Sequence, residues 1–167
     1  MFLNRRPSKG ILTNPGLFLI EWNKSNNNPK QKKWENWHQK LYERNKKRWD
    51  VIITEADADI EYVNPLKLCM EINTHIQKED IIIADGGDFV ATASYILQPR
   101  SFTGWLDPGV FGTLGVGAGF ILGAKLTHPE SIIWAIYGDG AFGYSLMEFD
   151  SFVRHKIPVI AIIGNDA

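Results

Sequence analysis

Three short apolar runs, each closed by small, acidic or amide residues, organise the second half of the chain. Ile81-Ile82-Ile83-Ala84 ends in Asp85-Gly86-Gly87-Asp88-Phe89. Residues 132–137 end in Gly138-Asp139-Gly140, and residues 158–164 end in Asn165-Asp166. Continuous apolar runs of this length, bounded by turn formers, predict strands buried on both faces. Between the second and third runs lies a helix-like stretch, residues 145–155. Ser145 and Glu148 stand at the spacing of a capping box, which would start that helix. Strand, helix and strand in this order predict a βαβ unit with parallel strands.

Upstream, Asn64-Pro65 reads as a helix start, with Asn as N-cap and Pro at the first helical position. Leu68, Cys69, Ile72 and Ile76 then form one apolar helical face. A second helix is expected over residues 90–97, stopped by Pro99. After it comes a loop through Trp105-Leu106-Asp107-Pro108-Gly109, then a glycine-rich helix over about 112–126 that Pro129 ends. Helices alternating with strands predict an α/β fold, an open doubly wound parallel sheet covered on both faces. Because the sequence stops directly after a strand, we expect a truncated domain.

Residues 1–63 follow a different pattern. Ser25-Asn26-Asn27-Asn28-Pro29 predicts a break. From residue 30 to 49 the chain is charged and aromatic, and Trp34, Trp37 and Leu41 fall on one stripe of a helix. The expected division is therefore 1–63, a charged linker or tail of a preceding domain, and 64–167, a compact α/β domain. The Lys- and Trp-rich segment is read as a domain-connecting helix rather than a nucleic-acid site.

Composition narrows the classes. Hydrophobic residues make up 44% and charged residues 22%, as in ordinary globular proteins. One cysteine excludes an internal disulfide and a Cys-based metal cluster. No apolar run is long enough to cross a bilayer, so no membrane contact is expected of this segment. The net charge of −1 hides an asymmetry. Residues 1–50 hold 12 Lys and Arg against 4 Asp and Glu, a surplus of +8; the remainder hold 6 against 15, a deficit of −9. An acidic half would repel a bare diphosphate but accept one bridged by a divalent cation.

The two carboxyl ends of the βαβ unit should lie side by side, on the rim where open α/β sheets bind ligands. Asp139 and Asp166 would meet there as hard oxygen donors, a pairing suited to Mg²⁺ holding a diphosphate. Gly138 and Gly140 let the backbone turn and a phosphate approach, although Gly-Asp-Gly alone also fits an ordinary strand-to-helix turn. Residues 85–88 could cradle an anion or form a simple turn. The run from Gly112 to Gly119 fails as a dinucleotide motif because a loop, not a strand, precedes it. His38, His75, His128 and His155 share no ligand spacing.

The Gly138-Asp139-Gly140 turn, followed about one helix and one strand later by Asn165-Asp166, resembles the thiamine diphosphate-dependent enzymes. Together with residues 85–119, it is similar to their acetolactate synthase and 2-hydroxyacyl-CoA lyase branch. The resemblance implies Mg²⁺ bound by Asp139 and Asp166, the latter standing where the family uses Asn. It implies cofactor contacts from Gly138, Gly140, Ala141 and Phe142, and diphosphate contacts from Gly87, Asp88 and Phe89. It further implies cofactor contacts from Gly112, Thr113 and Leu114, with the Gly112 carbonyl on the aminopyrimidine and Leu114 as the bulky residue that bends the cofactor. The glutamate that activates the pyrimidine lies in a further domain, usually on a second subunit, so the resemblance places no catalytic residue in these 167. The implied reaction is cleavage of a 2-hydroxyacyl-CoA to formyl-CoA and a shortened aldehyde, in the endoplasmic reticulum. Carboligation of 2-oxo acids and a non-catalytic α/β assembly module are the alternatives.

Overall fold

The computed structural model describes residues 8–25 and 34–165. The expected break at 26–29 and the candidate metal ligand Asp166 lie outside the described residues. The chain divides into two compact units, Met1–Arg48 and Trp49–Ala167. In the first, helix α1 (Pro15–Ser25) buries none of its side chains. It is capped by the Asn14 side chain, which accepts from the backbone N–H groups of Gly16 at 2.9 Å and Leu17 at 3.2 Å. Helix α2 (Glu35–Ala56) begins in this unit, with Trp37 and Leu41 exposed, and its last turns belong to the second.

The second unit is an α/β domain. Its further elements are α3 (Pro65–His75), β1 (Ile81–Asp85), α4 (Asp88–Ile96), β2 (Trp105–Leu106), α5 (Gly117–Thr127), β3 (Ile133–Gly138), α6 (Asp139–Ser145), α7 (Glu148–Arg154) and β4 (Ile160–Gly164). A single 3-10 turn, Gly109–Phe111, follows β2. The four strands form one parallel sheet in the order β2-β1-β3-β4. Alternation along each strand sends successive residues to opposite faces. Ile82, Ala84 and Ile136 pack with Cys69, Ile72, Ala93 and Ile96 of α3 and α4, and with Ile52 of α2. Ile81, Ile83, Ile133, Ala135 and Tyr137 pack with Ala118, Ile121 and Ala124 of α5 and with Ala141 and Phe152. Helices thus cover both faces, and β1 is buried at all five positions, as the unbroken apolar run requires.

The Asn64-Pro65 start holds. Asn64 accepts from the N–H of Leu66 at 3.0 Å, and its amide donates to the Glu55 carbonyl at 2.8 Å, tying the end of α2 to α3. Three expectations need correction. Trp105-Leu106 is not loop but a two-residue edge strand beside Ile82 and Ile83. The glycine-rich helix begins at Gly117 rather than near 112, because Gly112 (φ 58°) and Gly115 (φ 84°) hold left-handed backbone that no α-helix contains. The crossover helix starts at Asp139, not Ser145. Ser145 is the last residue of α6, and its buried hydroxyl makes no capping bond.

Two buried groups give the domain an alkaline limit. Burial pushes the Cys69 thiol from 9.0 to about 11. Burial first, and then the Asp85 carboxylate, push the Tyr137 phenol from 10.0 to about 12. The nearby Ser145 hydroxyl offsets part of the latter shift, although no hydrogen bond closes between the two. The folded state therefore keeps both protons to higher pH than the unfolded chain. This stabilisation is complete below the unfolded values and is lost as pH rises through the folded ones. The expected result is a denaturation midpoint that declines from about pH 9 to 12; a flat midpoint across that window would contradict it.

Candidate functional site

The sheet order creates the site. From β1 the chain passes through α4 to β2 on one side, whereas from β3 it passes through α6 and α7 to β4 on the other. The winding direction reverses between β1 and β3, and the crevice outside two such strand ends is where open α/β sheets take ligands. There the two glycine turns touch. The Gly138 N–H donates to the Gly86 carbonyl at 2.9 Å. A Cβ on Gly87 would stand 2.9 Å from the Gly138 Cα, and one on Gly138 would stand 2.8 Å from the Gly86 oxygen. Side chains at these positions would force the strand ends apart.

Each turn opens directly into a helix, α4 from Gly87 and α6 from Gly138, and neither N-cap supplies a side-chain hydrogen bond. Backbone N–H groups at such ends favour an anion. Gly87, Asp88, Phe89, Gly138 and Asp139 all line one cavity of about 640 Å³, with Asn165 and Gly164 from the end of β4. Tyr62, Val63, Pro65 and Leu68 add an apolar wall. The register that pairs Gly138 with Gly164 brings Asp139 and Asn165 to the same rim, one residue past adjacent strands.

The remaining candidates separate into two groups. Gly140 is exposed, while Ala141 is buried and Phe142 packs edge-on against Tyr137 and Phe149, so those two side chains serve the core. Gly112, Thr113 and Leu114 lie on the loop ahead of α5. Leu114 is about half exposed and rests against Gly86, where a Cβ would overlap its side chain. Sequence reasoning placed Asp85 in the turn after the first strand and gave its side chain no role. The residue is fully buried, and its carboxylate accepts from the N–H groups of Gly115 at 3.0 Å and Gly117 at 2.8 Å. The available signal was an acidic residue closing an otherwise apolar buried strand. The same reasoning passed over Asp80, buried at the opposite end of β1 and bonded to the Trp134 indole N–H at 2.9 Å.

The donor set fits a diphosphate held through a cation. Two helix N-termini and a floor without Cβ atoms suit phosphate oxygens, while the exposed carboxylates of Asp88 and Asp139 would repel them unless a divalent cation stood between. No cluster of three or more acidic, His or Cys ligands occurs among the described residues. Asp139 is thus the one expected metal ligand whose placement is described.

The fold and crevice define a class: a doubly wound α/β domain with an open crevice at its switch point, where such folds take ligands. Residues 85–167 match the family described as thiamine pyrophosphate enzyme, C-terminal TPP binding domain. The chain belongs, through this segment, to the thiamine diphosphate-dependent enzymes. It is 58% identical over 108 residues to 2-hydroxyacyl-CoA lyase 2 of Mus musculus, covering 65% of this chain and 17% of that protein. Against 2-hydroxyacyl-CoA lyase 2 of Danio rerio it is 46% identical over 163 residues, 97% of this chain and 26% of that protein. A probable acetolactate synthase of Mycobacterium bovis is 38% identical over 104 residues, 62% of this chain and 19% of that protein. The chain therefore spans between a sixth and about a quarter of these relatives' lengths.

Proposed function

We propose that this chain is the diphosphate- and metal-holding part of a lyase that cleaves a 2-hydroxyacyl-CoA to formyl-CoA and an aldehyde one carbon shorter. What supports the reading is the meeting of Gly87, Asp88, Gly138, Asp139 and Asn165 around one cavity, in a segment related to the 2-hydroxyacyl-CoA lyases. Thiamine diphosphate, when bound, supplies a nucleophilic carbon that accepts and releases acyl units. The chain's own residues bind and orient. Asp139, with Asp166, would take Mg²⁺; the amides after Gly87 and Gly138 would take phosphate oxygens; and the Gly112 carbonyl would accept a hydrogen bond from the aminopyrimidine. Leu114 would support the cofactor from the loop ahead of α5. The activating glutamate comes from outside these 167 residues, on a second subunit, and an endoplasmic-reticulum location belongs to the same proposal.

A second reading, carboligation of 2-oxo acids, is favoured by the likeness to acetolactate synthase. The full-length protein separates the two. Supplied with thiamine diphosphate, Mg²⁺ and a 2-hydroxyacyl-CoA, it is expected to release formyl-CoA and aldehyde in equal amounts. Acetolactate formed from pyruvate, with no cleavage of the thioester, would establish the second reading instead.

A further inference from the structure

Asp85 is a buried carboxylate that the proposed chemistry does not use. It ends β1, it is 0% exposed, and the ion pairs recorded among the described residues do not involve it. Its two oxygens are divided between two amides about 30 residues on, Oδ1 to Gly115 and Oδ2 to Gly117. Gly117 is the first residue of α5, whose own N-cap, Val116, offers no side-chain bond. Asp85 therefore caps α5 from a neighbouring strand. The approach needs glycine at 117, since a Cβ there would lie 2.9 Å from the Asp85 Oδ2 and 2.7 Å from the Tyr137 hydroxyl.

The same amide bond fixes the residue before it. Leu114 immediately precedes Gly115, and its side chain rests on Gly86, immediately after Asp85. The end of β1 thus grips the loop twice, by hydrogen bond at 115 and by contact at 114. We propose that Asp85 is a positioning residue that fixes where Leu114 stands against Gly86, next to the glycine turn whose Gly87 lines the crevice. The inference rests on the reading in which Leu114 supports bound thiamine diphosphate. A carboxylate is required because both partners are donors. An asparagine of the same volume would turn its own NH₂ group toward one of them and release half of the grip.

The test uses the full-length enzyme with Asp85→Asn, Leu114→Ala and the double variant. Asp85→Asn is expected to lower kcat about 10- to 100-fold, the usual consequence of a misplaced reacting group. The affinity for thiamine diphosphate with Mg²⁺ should stay within about threefold, because the diphosphate end rests on other residues. The near-ultraviolet circular dichroism of the bound aminopyrimidine should change with kcat. In the Leu114→Ala background, Asp85→Asn should cost no further kcat, since a residue acting through another shows no separate effect. Unchanged kcat in Asp85→Asn, or losses that multiply in the double variant, overturns the proposal while leaving the cofactor reading intact. Wild-type protein that fails to bind thiamine diphosphate overturns both. Should Asp85→Asn not fold, hydrogen exchange in the wild type decides: the Gly115 and Gly117 amides are expected to be protected, and rapid exchange at both rules the grip out.

Discussion

Asp139→Ala is expected to abolish Mg²⁺-dependent binding of thiamine diphosphate, weakening it at least about 100-fold. The carboxylate stands at the first position of α6, exposed, one residue past a strand end that pairs with Gly164. Removing it would take away a hard oxygen ligand and leave Asp88 facing the diphosphate across the same cavity with less cation to neutralise it. The helix itself loses only a favourable charge at its N-terminus, about 0.5 kcal/mol. Stability and affinity should therefore separate, with a melting temperature close to wild type and a binding isotherm that is nearly flat. Asp139→Asn, which keeps one oxygen donor, should fall between the two. Calorimetric titration of the full-length protein with and without chelator checks this. Equal affinity in wild type and Asp139→Ala, or binding indifferent to chelation, would remove Asp139 from the metal site.

Where one residue type answered to one physical demand, the sequence could be read directly. The apolar run at 81–84 can only be satisfied by burial on both faces, and the structure buries it so. Asn64-Pro65 satisfies the free amides of a helix start and does so here. The same pair at Asn14-Pro15 starts α1, which the reading of residues 1–63 missed because the helix buries nothing and so leaves no clear apolar stripe. Ser145 and Glu148 showed the limit of local motifs. Their spacing is that of a capping box, yet the chain is already helical from Asp139, and Ser145 is drawn into the core beside Tyr137. β2 was illegible because two residues carry no periodicity; its pairing with β1 is a tertiary fact.

The parts of the candidate site could be picked out along the chain, but not their arrangement. Gly87, Asp88, Phe89, Gly138 and Asp139 could be singled out because each follows an apolar run. That the first three stand beside the last two depends on β1 and β3 being neighbours, and strand order is not written in any local pattern. Asp85 was hidden for the opposite reason. Its partners lie 30 and 32 residues away, and nothing near it in the chain announces them.

The contact between the two turns yields the second large effect. Gly87→Ala is expected to destabilise the domain by about 2–4 kcal/mol and to reduce cofactor affinity in parallel. Gly87 has φ 114° and ψ 163°, a conformation that side chains avoid, so alanine there is strained even in open space. The space is also closed. The added methyl would press on the Gly138 Cα at 2.9 Å and on its nitrogen at 3.3 Å, and that nitrogen carries the bond to the Gly86 carbonyl. Relief requires β1 and β3 to part at the rim where both helix N-termini converge, which is why folding and binding should suffer together. Gly143→Ala gives the contrast. It lies within α6 with nothing close to an added Cβ, and alanine there should stabilise by about 0.5–1 kcal/mol. Thermal melts of the two variants should thus move in opposite directions. A Gly87→Ala protein that melts with wild type would mean that the turn yields without moving Gly138, so that the junction of the two strand ends is not the fixed floor on which a diphosphate could rest.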